Sequence, residues 1–134
     1  MKIVGFIPAK GNSSRLLNKN KKKILDVPLF LWAANNLSRV LPKIDIYIDS
    51  DDTDILELAK KNGFNTIKRP KSLSNNSIDG NQLLEWEVSN VNADIYIQHL
   101  PPMPFCKKET IQNGIQAIFD GYETAVYVYK ERSY

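Results

Sequence analysis

A chain of 134 residues with 43% hydrophobic and 25% charged side chains suits one small soluble domain, residues 1–134; such a chain buries roughly two thirds of the surface its unfolded form exposes. A net charge of only +3 argues against a nucleic-acid partner, whose footprint is a strongly basic face. One cysteine, Cys106, leaves no intrachain disulfide within these residues, and a single histidine, His99, argues against an ordinary zinc site. No apolar run approaches the roughly 20 residues of a membrane span, and no charged-then-apolar leader opens the chain. A cytoplasmic protein without membrane contact is expected.

The elements read off in order. "KIVGFI", residues 2–7, is short, apolar and β-prone, so it predicts a buried strand. Pro28 suits the first turn of a helix. Leu29, Trp32, Ala33, Leu37 and Val40 follow at helical spacing, and Pro42 closes that helix. "IDIYID", residues 44–49, predicts a second strand. Asp51 is placed to cap the next helix, whose inner face carries Ile55, Leu58 and Ala59. Asn62 and Gly63 stop it.

Residues 64–68, "FNTIK", predict a third strand. After a polar loop, Leu84, Val88 and Val91 mark another helix. Residues 93–100 predict a fourth strand, closed by Pro101, Pro102 and Pro104. Ile111, Ile115 and Ile118 stripe a further helix, Gly121 ends it, and residues 124–129 predict a fifth strand. Strands alternating with helices argue for an α/β fold, a Rossmann-like, mostly parallel sheet with flanking helices. No internal repeat or linker interrupts it. The chain stops soon after the fifth strand, which looks abrupt for a complete doubly wound domain.

Ligands of such sheets bind outside the carboxyl ends of the strands. There the loop "IPAKGNSSRLLNKN", residues 7–20, combines Gly11, Ser13 and Ser14 with Lys10, Arg15 and Lys19. Successive backbone N–H groups in such a turn cradle phosphate oxygens. Neither the P-loop pattern nor the dinucleotide fingerprint is present. The basic run "KNKKK", residues 19–23, reads mainly as a solvated loop.

The same loop resembles the signature of the nucleotidyltransferases that make CMP-activated sugar acids, the CMP-N-acetylneuraminate (acylneuraminate) cytidylyltransferases and their relatives. Ile7, Pro8, Ala9, Ser13, Arg15, Leu16, Lys19 and Asn20 match, while Lys10 replaces an arginine. "PLFLWAANNL", "IDSDDTDILELAKKNGF", "KRPKSLSNNSID" and "GYETAVYVY" continue the resemblance in order along the chain. It implies transfer of CMP from CTP to the anomeric hydroxyl of a sialic-acid-like keto-sugar acid, with release of pyrophosphate. Such chemistry depends on alignment and charge neutralisation. By position, Lys10, Arg15 and Lys19 would carry the catalytic contacts to the triphosphate. Pro8, Ala9, Gly11, Asn12, Ser13, Asn20, Asp51, Arg69 and Ser77 would bind the nucleotide. Leu100, Pro102 and Met103 would stand in the acceptor site. The resemblance also implies Mg²⁺, with no ligands identified in this chain, and a homodimer.

Two departures qualify the match. No carboxylate lies between Leu100 and Cys106, which disfavours the octulosonate subgroup. The family pattern also continues well beyond Tyr134, and that stretch normally carries the magnesium aspartates and a dimerisation arm. Asp49, Asp51, Asp52 and Asp54 are read as a helix cap and solvated first-turn acids, with a replacement metal site as the lesser reading. The alternative function is an inactive or truncated CTP-binding module. A sugar 1-phosphate nucleotidyltransferase ranks third, and direct RNA binding last, since no aromatic residues interleave the lysines.

Overall fold

Ile3–Pro8 (β1) forms the centre of the molecule because its β-branched and aromatic run is buried on both faces, as parallel strands are. The computed structural model describes residues 1–11, 19–74, 80–100 and 107–121, without the side chains of Lys19 and Asn81. The predicted strand over residues 124–129 lies outside them.

A small hairpin that the sequence reading missed comes next. Lys23–Ile24 (β2) pairs antiparallel with Val27–Pro28 (β3). Leu25 and Asp26 make its turn at φ 51° and 65°. A primed two-residue turn needs positive φ at both positions, and Leu-Asp is not the Asn-Gly pair that advertises it. Pro28 therefore ends β3 and caps Leu29–Leu37 (α1) from outside, rather than lying in the helix's first turn. The helix also stops earlier than Pro42: Ser38 is its C-cap, and a short 3-10 turn, Lys43–Asp45, follows Pro42. The second predicted strand accordingly begins two residues late, as Ile46–Ser50 (β4).

Asp52, not Asp51, caps Thr53–Lys61 (α2): its side chain accepts from the Asp54 and Ile55 N–H groups. Gly63, at φ 88°, takes the left-handed conformation that terminates this helix. Asn65–Lys68 (β5), Gly80–Asn90 (α3), Ile95–Gln98 (β6) and Lys108–Phe119 (α4) complete the described order.

The four long strands form one parallel sheet in the order β5–β4–β1–β6. Ile7, Ile46, Ile48 and Ile97 share a core with Phe30, Ala33, Ala34 and Leu37 of α1, Ile55 and Ala59 of α2, and Ile111 of α4. Three helices therefore cover one face. Phe6, Tyr47, Tyr96 and Gln98 have the opposite parity, and Gln98 meets α3 there through Glu87. The chain runs outward from β1 to β4 to β5, then returns to β6 on the other side of β1. The strand order thus reverses between β1 and β6, the switch point where ligands of open α/β sheets collect.

Candidate functional site

The loop after β1 leaves the carboxyl end of the central strand against the segment after β4. Pro8 is in register with Asp49, and the Ala9 N–H donates to the Asp49 carbonyl at 2.9 Å. The Gly11 N–H then donates to Asp51 Oδ1 at 2.9 Å. A Cβ at Gly11 would come within 2.9 Å of both Cβ and Oδ2 of Asp52. Glycine is required here by close approach of the two segments.

Two further ties close the loop. The Asn20 side-chain amide donates to the Lys10 carbonyl at 2.7 Å. Lys21 Nζ meets Asp52 Oδ2 at 2.6 Å and Asp54 Oδ2 at 3.5 Å. Burial pushes the Asp52 carboxyl up, but the hydrogen bonds from Lys21 and from the Asp54 and Ile55 N–H groups outweigh it and hold the group below its ordinary range. The Lys21 ammonium is correspondingly raised, first by its hydrogen bond to Asp52. Lys21 is thus tied into the edge rather than merely solvated, whereas Lys22 and Lys23 are exposed.

Deeper in the same edge lies a buried polar cluster. Arg69 donates from Nε to Asp49 Oδ1 at 2.8 Å and also from Nη2 to the same oxygen. Both side chains are buried. Gln98 Nε2 donates to Oε1 of Glu87 at 2.7 Å. Glu87 is fully buried, and its carboxyl is pushed up to about 10, first by burial and then by the hydrogen bond and charge of Asp49. Sequence reading singled out neither Glu87 nor Asp49 as a buried site. The available signal was the position of Glu87 within the apolar stripe of Leu84 and Val88.

Of the residues the sequence singled out, Pro8, Ala9, Lys10, Gly11, Asn20 and Asp51 come together at the carboxyl ends of β1 and β4. Arg69 reaches the same edge, with two of its nitrogens engaged by Asp49. Asn20 is buried, and its Oδ1 has no hydrogen-bond partner among the described residues. Leu100 lies just past β6 and is 44% exposed. The side chain of Lys19 and residues Asn12, Ser13, Arg15, Ser77, Pro102 and Met103 lie outside the described residues.

Of the four acids of residues 49–54, read as a helix cap and solvated first-turn acids, Asp52 and Asp54 fit that reading and Asp49 and Asp51 do not. Asp49 is buried on Arg69, Asp51 accepts from Gly11, and Asp52 caps α2; only Asp54 is largely exposed. Among the described residues, no group of three or more His, Cys, Asp or Glu side chains is placed to hold a metal ion. Nor is any described helix long and apolar enough to cross a membrane.

The family model described as "Cytidylyltransferase" matches residues 4–133. Among solved structures, the chain is similar to CMP:2-keto-3-deoxy-manno-octonic acid synthetase complexed with CTP, at a TM-score of 0.77 and 23% identity over 90% of this chain and 48% of that one. It is also similar to a cytidylyltransferase from Leptospira borgpetersenii serovar Hardjo-bovis, at 0.69 and 18% identity, covering 92% of this chain and 51% of the other. A third similar structure is the bifunctional IspDF from Campylobacter jejuni, at 0.69 and 18% identity over 90% of this chain and 31% of that one. At these identities the likeness shows a shared fold. The chain spans about half the length of the first two.

Proposed function

The chain belongs to the cytidylyltransferase family, and we propose that it binds CTP and transfers CMP to a sialic-acid-like keto-sugar acid. In that reaction an anomeric hydroxyl oxygen attacks the α-phosphorus. A new P–O bond forms, the bond to the bridging oxygen breaks, pyrophosphate leaves, and the hydroxyl proton passes to solvent.

The observation that carries this reading is the closure of the Lys10–Gly11 segment onto Asp51 at the carboxyl end of the central strand, within the span of the family match. It sets Lys10 beside a tightly held glycine turn, as a triphosphate site requires. Arg15 and Lys19 would add charge to that site. The Gly11 N–H is already engaged, so the phosphates would meet the lysine and the amides that follow it. Asn20 would offer its Oδ1 to a donor of the nucleoside, Arg69 its remaining guanidinium N–H groups, and Ser77 its hydroxyl. Leu100, Pro102 and Met103 would form the acceptor wall. No step is assigned to Mg²⁺.

The sialic-acid class is preferred to an octulosonate by the absence of a carboxylate between Leu100 and Cys106. A homodimer is the assembly this reading favours, and polysaccharide building the process it would serve. Calorimetric titration with CTP, with ATP as control, tests the nucleotide half; selective CTP binding is expected, and a folded, monodisperse sample that binds neither overturns it. Pyrophosphate release with a sialic-type acid, against an octulosonate, then tests the acceptor.

A further inference from the structure

Helix α3 presents an acid where its periodicity calls for an apolar residue. Leu84 and Val88 are half-buried, whereas Glu87, on the same stripe, is fully buried. The helix sets it against the sheet face that carries Asp49 of β4 and Gln98 of β6. Each carboxyl group there has one oxygen occupied: Asp49 Oδ1 accepts twice from Arg69, and Glu87 Oε1 accepts from Gln98. The other two oxygens, Asp49 Oδ2 and Glu87 Oε2, are both buried and have no hydrogen-bond partner among the described residues. Two ionised carboxyls cannot satisfy each other, since each can only accept. Their mutual repulsion in a dry interior is large, and a single guanidinium neutralises only one of them. One proton between the two oxygens satisfies both. The upward displacement of Glu87, caused by burial and by Asp49, agrees with that placement.

We propose that Glu87 is a neutral carboxylic acid in the folded protein, donating from Oε2 to Asp49 Oδ2, and that through Asp49 it positions the Arg69 guanidinium at the nucleotide edge. The chain of contacts runs Gln98 to Glu87 to Asp49 to Arg69. It joins α3 to β6, to β4 and to the segment after β5, so one buried proton completes a chain of contacts through four elements. Glu87 is a positioning residue: it acts on a ligand only through Asp49 and Arg69. That functional half rests on the reading of Arg69 as a nucleoside contact, whereas the proton itself does not.

Infrared difference spectra of the whole chain at neutral pH, parent minus Glu87→Gln, test the proton. A protonated-carboxyl stretching band, present in the parent and lost in the variant, is expected; its absence from the parent, or its survival in Glu87→Gln, overturns the assignment. CTP titrations test the positioning. Glutamine can donate to Asp49 and still accept from Gln98, so Glu87→Gln should bind CTP within about twofold of the parent. Glu87→Ala leaves Asp49 Oδ2 unpaired and should weaken CTP binding tenfold or more. Where Glu87→Ala does not fold, Glu87→Leu fills the volume and gives the same reading. A variant that melts earlier but binds CTP like the parent assigns Glu87 a purely structural role and overturns the positioning. A parent chain that binds no CTP removes the nucleotide reading and the positioning with it, while the infrared band still decides the proton.

Discussion

Gly11 and Asp51, forty positions apart in the chain, are joined by a 2.9 Å hydrogen bond from the glycine N–H to the aspartate side chain. It pins the loop after the central strand to the neighbouring strand's carboxyl end. A carboxylate in this role occupies the kind of amide that a phosphate oxygen would otherwise take. Asp51→Ala should unpin the loop and raise the Kd for CTP about five- to tenfold, the worth of one ordinary hydrogen bond. A titration showing tighter binding instead would mean that the carboxylate competes with phosphate for the amide.

The same crossing makes Gly11 intolerant of a side chain. An added Cβ would sit 2.9 Å from Asp52 Cβ, too close for either segment to stay in place. Gly11→Ala should therefore weaken CTP binding while leaving most of the fold intact, because the sheet core lies on other residues. Titration alongside a thermal melt separates the two effects.

Within the core, Gly5 faces α1 so closely that an added Cβ would meet Leu37 Cδ2 at 2.5 Å and Leu41 Cδ1 at 3.3 Å. Gly5→Ala forces the leucines to shift, and overpacking of this kind costs about 1–3 kcal/mol. Urea unfolding should show a lower midpoint with an unchanged slope.

Asp52 stabilises α2 twice, as its N-cap and as the partner of Lys21. Asp52→Ala should cost about 1 kcal/mol for the cap, and the part-exposed ion pair adds little to that. Its carboxyl is held below the ordinary range, so this contribution is present above the unfolded-state pKa and is lost as pH falls through the folded value. The difference between parent and variant in urea should shrink in acid.

Glu87 has the opposite sign. Between its ordinary value of 4.5 and about 10, the unfolded chain has lost a proton that the folded chain keeps. Folding takes up a proton there, so the stability this group allows is complete below that window and declines as pH rises through it. The decline is at most about 1.4 kcal/mol per pH unit. Glu87→Gln carries no titrating proton and should lack that slope. Parent and variant denaturation midpoints compared across the neutral-to-alkaline range check it.

Much of this architecture was legible in the residues alone. Runs such as "IVGFI" and "IYI" alternate with amphipathic helices, and that alternation is local information dictating a parallel α/β sheet. Gly63 could be read as a stop because its left-handed conformation is a local need. The loop of residues 7–20 carried its own chemistry, and the described part of it lies at the carboxyl edge as expected. The hairpin at Leu25 and Asp26 was not legible, since its turn residues are held at positive φ against their own preference.

What only the tertiary structure decided is which acid does what. Asp49, Asp51 and Asp52 look alike in the sequence, yet one is buried on Arg69, one holds Gly11 and one caps a helix. Only Asp49 lies in β4, with Asp51 and Asp52 in the turn into α2, and partners far along the chain choose among them. Glu87 is the sharpest case. Nothing near it in sequence neutralises it, and its charge state is set by a strand and a helix meeting across the sheet, where burial and a second carboxyl make the proton the cheaper occupant.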